Sequence, residues 1–243
     1  MKGTPASIAA DIIAKAESYR GIRAGIARLA DLLKAPSYNV PQTRAWTINS
    51  SADAVEKWMA SARFVVVLGF NHPAHNLKLD WFDRGNTEGN RKLMEIIESL
   101  KAWVLQAYGI AAQPLPYFLE QGGVFLKDAA VLAGLGIIGD NNLLVTPEWG
   151  PRIRLRAMLL EGELQPSRPV SNFSPCRACN KICRAVCPQK AFSKGAYSRS
   201  ACLAQLYSDR QPPLPTGEHD KEGNPIPVVK WCRKCELVCP AGV

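Results

Sequence analysis

Cys176-Arg-Ala-Cys-Asn-Lys-Ile-Cys-Arg-Ala-Val-Cys-Pro188 carries four cysteines in a C-x2-C-x3-C-x3-C-P run. Cys232-Arg-Lys-Cys-Glu-Leu-Val-Cys-Pro240 repeats the pattern as C-x2-C-x3-C-P, Cys202 stands alone between the two, and no cysteine precedes residue 176. Thiolates spaced this closely wrap a loop around an iron–sulfur cubane, and the Cys before Pro ligates the other cluster of a pair. Two [4Fe–4S] clusters are therefore expected. If the crossing holds, one takes Cys176, Cys179, Cys183 and Cys239, and the other takes Cys187, Cys202, Cys232 and Cys235. Zinc fits less well, because two C-x2-C pairs around one ion leave four cysteines over and give the Cys-Pro endings no role. A disulfide framework needs export, and the N-terminus offers no apolar signal region. Both runs place three residues, not the two of bacterial ferredoxins, between their second and third Cys.

Working outward, Arg177, Lys181, Arg184, Arg233 and Lys234 lie among the ligands, where they offset cluster charge. The formal charge of +9 suggests an anionic partner. Two oxidised clusters at about −2 each bring that nearer to about +5, so charge alone argues only weakly for nucleic acid. No window approaches the ~20 apolar residues of a membrane span. With no export signal legible, a cytoplasmic protein with neither a membrane nor a DNA partner is expected.

Upstream, Thr4 with Pro5 opens a helix bearing Ile8, Ile12, Ile13 and Ala16, and a second helix is expected over Ile22 to Leu33. Ser51 can cap a third, ending near Ala62. Phe64 to Phe70 is a continuous apolar run, expected to be a central strand buried on both faces. Asn86 to Tyr108 is the clearest helix, with Leu93, Ile96, Ile97, Leu100 and Val104 on one face. His72 and His75 flank Pro73, which argues for a loop rather than a metal site. Gly134, Gly136 and Gly139 match G-x-G-x-x-G, but helix-like sequence precedes them and strand-like sequence follows, the reverse of a dinucleotide fingerprint. Arg152, Arg154 and Arg156 alternate along a strand-like segment and are expected to grip phosphate or to face water. Gln165 to Ser174 reads as a linker, and Asp209 to Pro227, rich in proline, as a surface loop.

The segment Ala133-Gly-Leu-Gly-Ile-Ile-Gly-Asp-Asn-Asn-Leu-Leu-Val145, followed by the Cys176 to Pro188 run and Cys202, resembles the epoxyqueuosine reductase family, which is related to reductive dehalogenases. The resemblance implies an α/β (α+β) chain. A nitroreductase-like cobalamin-binding domain would span residues 1–165, and a ferredoxin-like two-cluster domain residues 166–243. It implies cobalamin beside the two [4Fe–4S] clusters, with Gly134, Leu135, Gly136, Gly139, Asn141 and Asn142 as cofactor contacts. Electrons would pass from a ferredoxin- or flavodoxin-type donor through both clusters to cobalt, for reduction of a tRNA or small-molecule substrate. The sequence departs from the family in four ways. Gln113 to Glu120 lacks the Asp used as proton donor, leaving Tyr117 as the candidate; Asp140 stands where a lysine is usual; the family's first cysteine run has the shorter spacing; and the chain stops four residues after Cys239, without the HEAT-like extension. The alternative is an electron-transfer protein that reduces a partner enzyme or corrinoid protein. A tRNA-binding module without chemistry is a third reading, resting on charge alone.

Overall fold

The computed structural model describes residues 3–39, 55, 57–211 and 214–242; the start of the helix expected from Ser51 lies outside the described residues, and 57–62, where it is expected to end, form turns and coil instead. The chain forms two compact units, each assembled from separated segments. The first is Met1–Asn71, Leu93–Ile137 and Leu155–Phe173; the second is His72–Lys92, Ile138–Arg154 and Ser174–Val243.

In the first unit, helix α1 (Pro5–Glu17) starts at a capping box in which Thr4 and Ser7 satisfy each other's backbone N–H groups. Strand β1 (Ile22–Arg28) runs antiparallel to β2 (Phe64–Asn71), pairing Ile22 with Phe70 and Arg28 with Phe64. A four-stranded sheet follows in the order β1-β2-β8-β5, with β5 at Ala112–Pro114 and β8 at Ile153–Leu160. The Phe64 run is internal, as its unbroken apolar character requires. Ile22, Ala24 and Ile26 pack with Ile12 and Ala16 of α1 and with Leu93, Ile97, Leu100 and Val104 of the long helix α3 (Glu88–Tyr108).

The helix expected over Ile22 to Leu33 is instead β1 followed by a single turn, α2 (Leu29–Leu32). Apolar residues at Ile22 and Ile26 satisfy a helical period, but Gly25 is a poor helix former and its bare Cα is needed for sheet packing. A Cβ there would lie 2.0 Å from the Ala133 carbonyl oxygen, at the end of α4 (Leu126–Leu132). Gly25→Ala is therefore expected to destabilise the protein by about 1–3 kcal/mol, the usual cost of overpacking, as read from denaturant unfolding.

The second unit holds an antiparallel sheet in the order β4-β3-β10-β9, from β3 (Trp81–Asp83), β4 (Asn86–Thr87), β9 (Leu214–His219) and β10 (Pro225–Lys230). The proline-rich segment expected as a loop thus ends a helix, α6 (Arg199–Asp209), and then forms a hairpin. Its turn closes where the Asp220 carboxylate accepts from the backbone N–H groups of Glu222 and Asn224. Ile226 and Val228 are buried, which fixes the register despite the prolines. The glycine turn lies between α4 and a short pairing of β6 (Ile137–Ile138) with β7 (Leu144–Val145), so helix precedes and strand follows.

Candidate metal centre

Within the second unit, Gly139 and Asn141 lie against the cysteine loops. Gly139 donates its N–H to the Leu143 carbonyl, and a Cβ on Gly139 would lie 2.6 Å from Val145 and 3.5 Å from Cys176 Sγ. Asn141 is 3% exposed; its amide donates to the Cys235 carbonyl, and its Oδ1 accepts from Leu143 N–H. Asn142 adopts a left-handed conformation, φ 58°, and closes the turn onto the Gly139 carbonyl. In the first unit, Gly134 at φ 76° passes so close to the Arg168 carbonyl that a Cβ would lie 2.3 Å from it; Leu135 is buried. The close approaches of Gly134 and Gly139 are thus to the protein's own atoms, and no ligand is needed to account for them.

All eight cysteines are free thiols. Cys176, Cys179, Cys183 and Cys239 line one cavity of about 210 Å³, with Asp140 and Lys181 also on its wall. Burial pushes the Cys183 thiol above its ordinary value, and the neighbouring Cys239, Cys176 and Cys179 push it further. The remaining four form the second group. Burial raises the Cys235 thiol to about 12, helped by Cys232, Cys202, Glu236 and Cys187. The phenol of Tyr197 is pushed up as well, by burial first and then by its hydrogen bond to Cys202. Cys176, Cys179, Cys183 and Cys239 thus face one cavity, and Cys187, Cys202 and Cys232 lie near Cys235.

Among the described residues, no three His, Cys, Asp or Glu side chains converge closely enough to hold a single metal ion. A tetrahedral zinc site with Zn–S bonds of about 2.3 Å needs that convergence. The first four cysteines line one cavity, and a cubane would take one thiolate at each of its four iron corners. Backbone N–H groups already aim at several of the sulfurs: Asp140 at Cys176 (3.5 Å), Lys181 at Cys179 (3.4 Å) and Ala191 at Cys187 (3.3 Å). Such bonds stabilise thiolate charge and raise a cluster's potential. Because burial raises the Cys183, Cys239, Cys232 and Cys235 thiols, filling either group with iron must expel protons, so loading favours higher pH.

Arg152, expected to bind phosphate or face water, instead is 6% exposed and anchors the first tetrad. Its guanidinium donates to the carbonyls of Cys239 (3.0 Å) and Ala241 (2.5 Å). Gly150, at φ 56°, makes this approach possible, since a Cβ would stand 1.9 Å from the Ala241 oxygen. Gly150→Ala should expel the Cys239 turn, and iron analysis is expected to read about half the wild-type content with the second tetrad retained.

Sequence reasoning missed a buried ion network beside the second tetrad. Asp80 is 8% exposed and forms ion-pair contacts with His72 Nδ1 (2.9 Å), Arg154 Nε (2.7 Å) and Arg233 (2.6 Å). Glu236, 4% exposed, pairs with Arg233 and with Arg154 (2.9 Å). Burial holds His72 below the ordinary histidine value, although the bond to Asp80 opposes it. Burial alone would raise Asp80, but His72 and the two arginines overcome it and lower its carboxyl. The network answers the question that Arg154 and the histidine pair raised: Arg154 is spent on Asp80 and Glu236, His72 is fully buried, and His75 is exposed. His72, Arg154 and Arg233 each carried a signal in the sequence, but their convergence on Asp80 and Glu236 joins three separate segments of the chain and is set by the fold.

In the first unit, Tyr117 is 55% exposed, with the Arg156 guanidinium 5.5 Å from its ring centre and Arg156 donating to the Leu115 carbonyl. Glu120 is exposed.

No protein-family model matches the chain. It is homologous to the epoxyqueuosine reductase of Synechocystis sp., 28% identical over 207 residues that cover 81% of this chain and 68% of that protein. A tetrachloroethene reductive dehalogenase of Desulfitobacterium hafniense is 44% identical over 68 residues, 26% of this chain and 12% of that protein. Among solved structures, an epoxyqueuosine reductase crystallised with an epoxyqueuosine-modified tRNA-Tyr stem loop superposes with a TM-score of 0.65 at 16% identity, covering 97% of this chain. The chain spans 65% of that structure's length. Epoxyqueuosine reductases are thus homologues of this chain, reductive dehalogenases are matched as well, and the expected α/β class is borne out. Among the described residues, no helix is long and apolar enough to cross a membrane.

Proposed function

We propose that this homologue of epoxyqueuosine reductases is a reductase that carries electrons through two [4Fe–4S] clusters to a corrinoid. The observation that carries the reading is the pair of crossed cysteine tetrads, one lining a cavity and one gathered about Cys235. In this reading Cys176, Cys179, Cys183 and Cys239 hold one cluster, and Cys187, Cys202, Cys232 and Cys235 the other. Residues 166–243 serve as the cluster domain and residues 1–165 as the reductase domain. A corrinoid, when bound, would supply a strongly reducing metal centre to the substrate, which a low-potential cluster can charge. Its support is the relatives and the AGLG-x-x-G-x-N-x-LL turn, in which Gly134, Leu135, Gly136, Gly139, Asn141 and Asn142 are the candidate contacts. The substrate class is a tRNA-borne or small organic electrophile, and the donor is a low-potential ferredoxin or flavodoxin.

The protein's own residues have defined tasks. Arg152 and the Arg233 network hold the ligand loops, backbone N–H groups bear on the sulfurs, and Tyr117, with Arg156 beside its ring, is the proposed proton donor. Anaerobic reconstitution should give about eight irons per chain and, with added cobalamin, corrin absorption bands that titrate with protein. Eight irons without corrinoid binding would favour the alternative, an electron carrier for a partner enzyme. Far fewer irons would end both. If Tyr117 is the donor, Tyr117→Phe should lower turnover by about 10²-fold or more with binding retained; an unchanged rate removes it from the mechanism.

A further inference from the structure

The extra residue in the first cysteine run has a structural consequence that differs from that in the second. In the second run the corresponding residues, Glu236 and Leu237, continue a helical turn, α7 (Lys234–Leu237). In the first run the chain turns left-handed at Lys181, φ 58° and ψ 36°, before the short helix α5 (Ile182–Ala185) begins. A lysine in that conformation is disfavoured by about 1–2 kcal/mol, where glycine would be at ease. The strained position therefore needs a reason that resides in the side chain. Lys181 Nζ lies 3.0 Å from Asp140 Oδ2, and both residues line the cavity of the first tetrad. Each partner also donates its backbone N–H to a different sulfur of that tetrad, Lys181 to Cys179 and Asp140 to Cys176. The ion pair thus joins the cysteine loop to the glycine turn at the cavity wall, with opposite charges over one cluster site.

We infer that Lys181 and Asp140 are positioning residues that set the potential of the first cluster by opposed charges, the lysine raising it and the aspartate lowering it. This rests on the two-cluster reading. The added residue of the first run delivers the lysine. Asp140 anchors it and moderates its effect. As a surface pair, with side chains 49% and 34% exposed, the two contribute little to stability. Their weight falls on the cluster, whose charge changes by one unit at each reduction.

The test uses the whole reconstituted chain and reads iron content together with an EPR redox titration. Lys181→Gly relieves the backbone, so a purely structural role predicts equal or better iron retention and an unmoved potential. The inference instead expects full iron with one of the two reduction waves shifted downward. The shift corresponds to about a tenfold change in the reduced-to-oxidised ratio at a fixed poise, ~59 mV for a one-electron couple. Lys181→Arg should restore the wave, and Asp140→Asn should move the same wave upward. Wild-type protein without iron would overturn the two-cluster reading itself. Full iron with both waves unmoved, or with Lys181→Gly and Asp140→Asn moving the wave in one direction, would overturn this inference and leave that reading standing.

Discussion

Cys239→Ser should abolish the same cluster as Cys176→Ser, although the two cysteines stand in different runs. Each variant is expected to retain about four irons of about eight, and the pair combined should retain the same four. Cys187→Ser should match Cys235→Ser in the opposite way and leave the first cluster. The expectation follows from the tetrads: Cys239 bears on Cys183 and shares its cavity, whereas Cys187 bears on Cys235. Were the runs to act as independent loops, Cys187→Ser would instead harm the cluster of Cys176. Iron analysis and the EPR of each reduced variant separate the two patterns. Cys202→Ser is a further discriminator, since its place in the chain is outside both runs and only proximity to Cys235 assigns it to the second cluster.

Much of this arrangement was legible because cluster ligands are set by short spacings that survive without knowledge of the fold. The proposed crossing rests on the two Cys-Pro endings, and the long helix at Glu88–Tyr108 and the central strand at Phe64–Asn71 followed from hydrophobic period. What escaped depended on partners distant in sequence. The Ile22 segment carries a helical period, yet its pairing with the Phe64 strand and the contact of Gly25 with Ala133 make it a strand. The prolines of the Leu214–Lys230 hairpin argued for a loop, while the buried side chains of Ile226 and Val228 hold it as a sheet. The arginines of Arg152, Arg154 and Arg156 looked like an anion grip because their carboxylate and carbonyl partners lie some 80 residues away for the first two. The backbone reason for the extra residue between Cys179 and Cys183 could not be read at all, since only the left-handed Lys181 discloses it.

Asp80→Asn should be among the most damaging single substitutions outside the cysteines. It removes one buried negative charge facing Arg154, Arg233 and His72, and breaking one side of a buried pair costs about 3–5 kcal/mol. Arg233 lies between Cys232 and Cys235, so the damage should reach iron retention at the second tetrad before the first. The pH dependence has a definite sign. His72 is held below 6.5 in the folded protein, so between its folded value and 6.5 the unfolded chain binds more protons, and stability falls as the solution is acidified through that window. The lowered carboxyl of Asp80 acts in the same direction further down: its contribution is present above about 3.8 and is lost as pH falls through the folded value. Denaturant unfolding at a series of pH values below 6.5 should therefore show stability declining, at up to about 1.4 kcal/mol per pH unit from the histidine. His72→Asn, which keeps a donor for Asp80 without a titrating ring, should flatten that slope while leaving the steeper loss near the carboxylate range. A slope unchanged in His72→Asn would mean that the acid sensitivity arises elsewhere, and that His72 serves Asp80 by packing alone against Gly89, whose Cβ position its ring already fills.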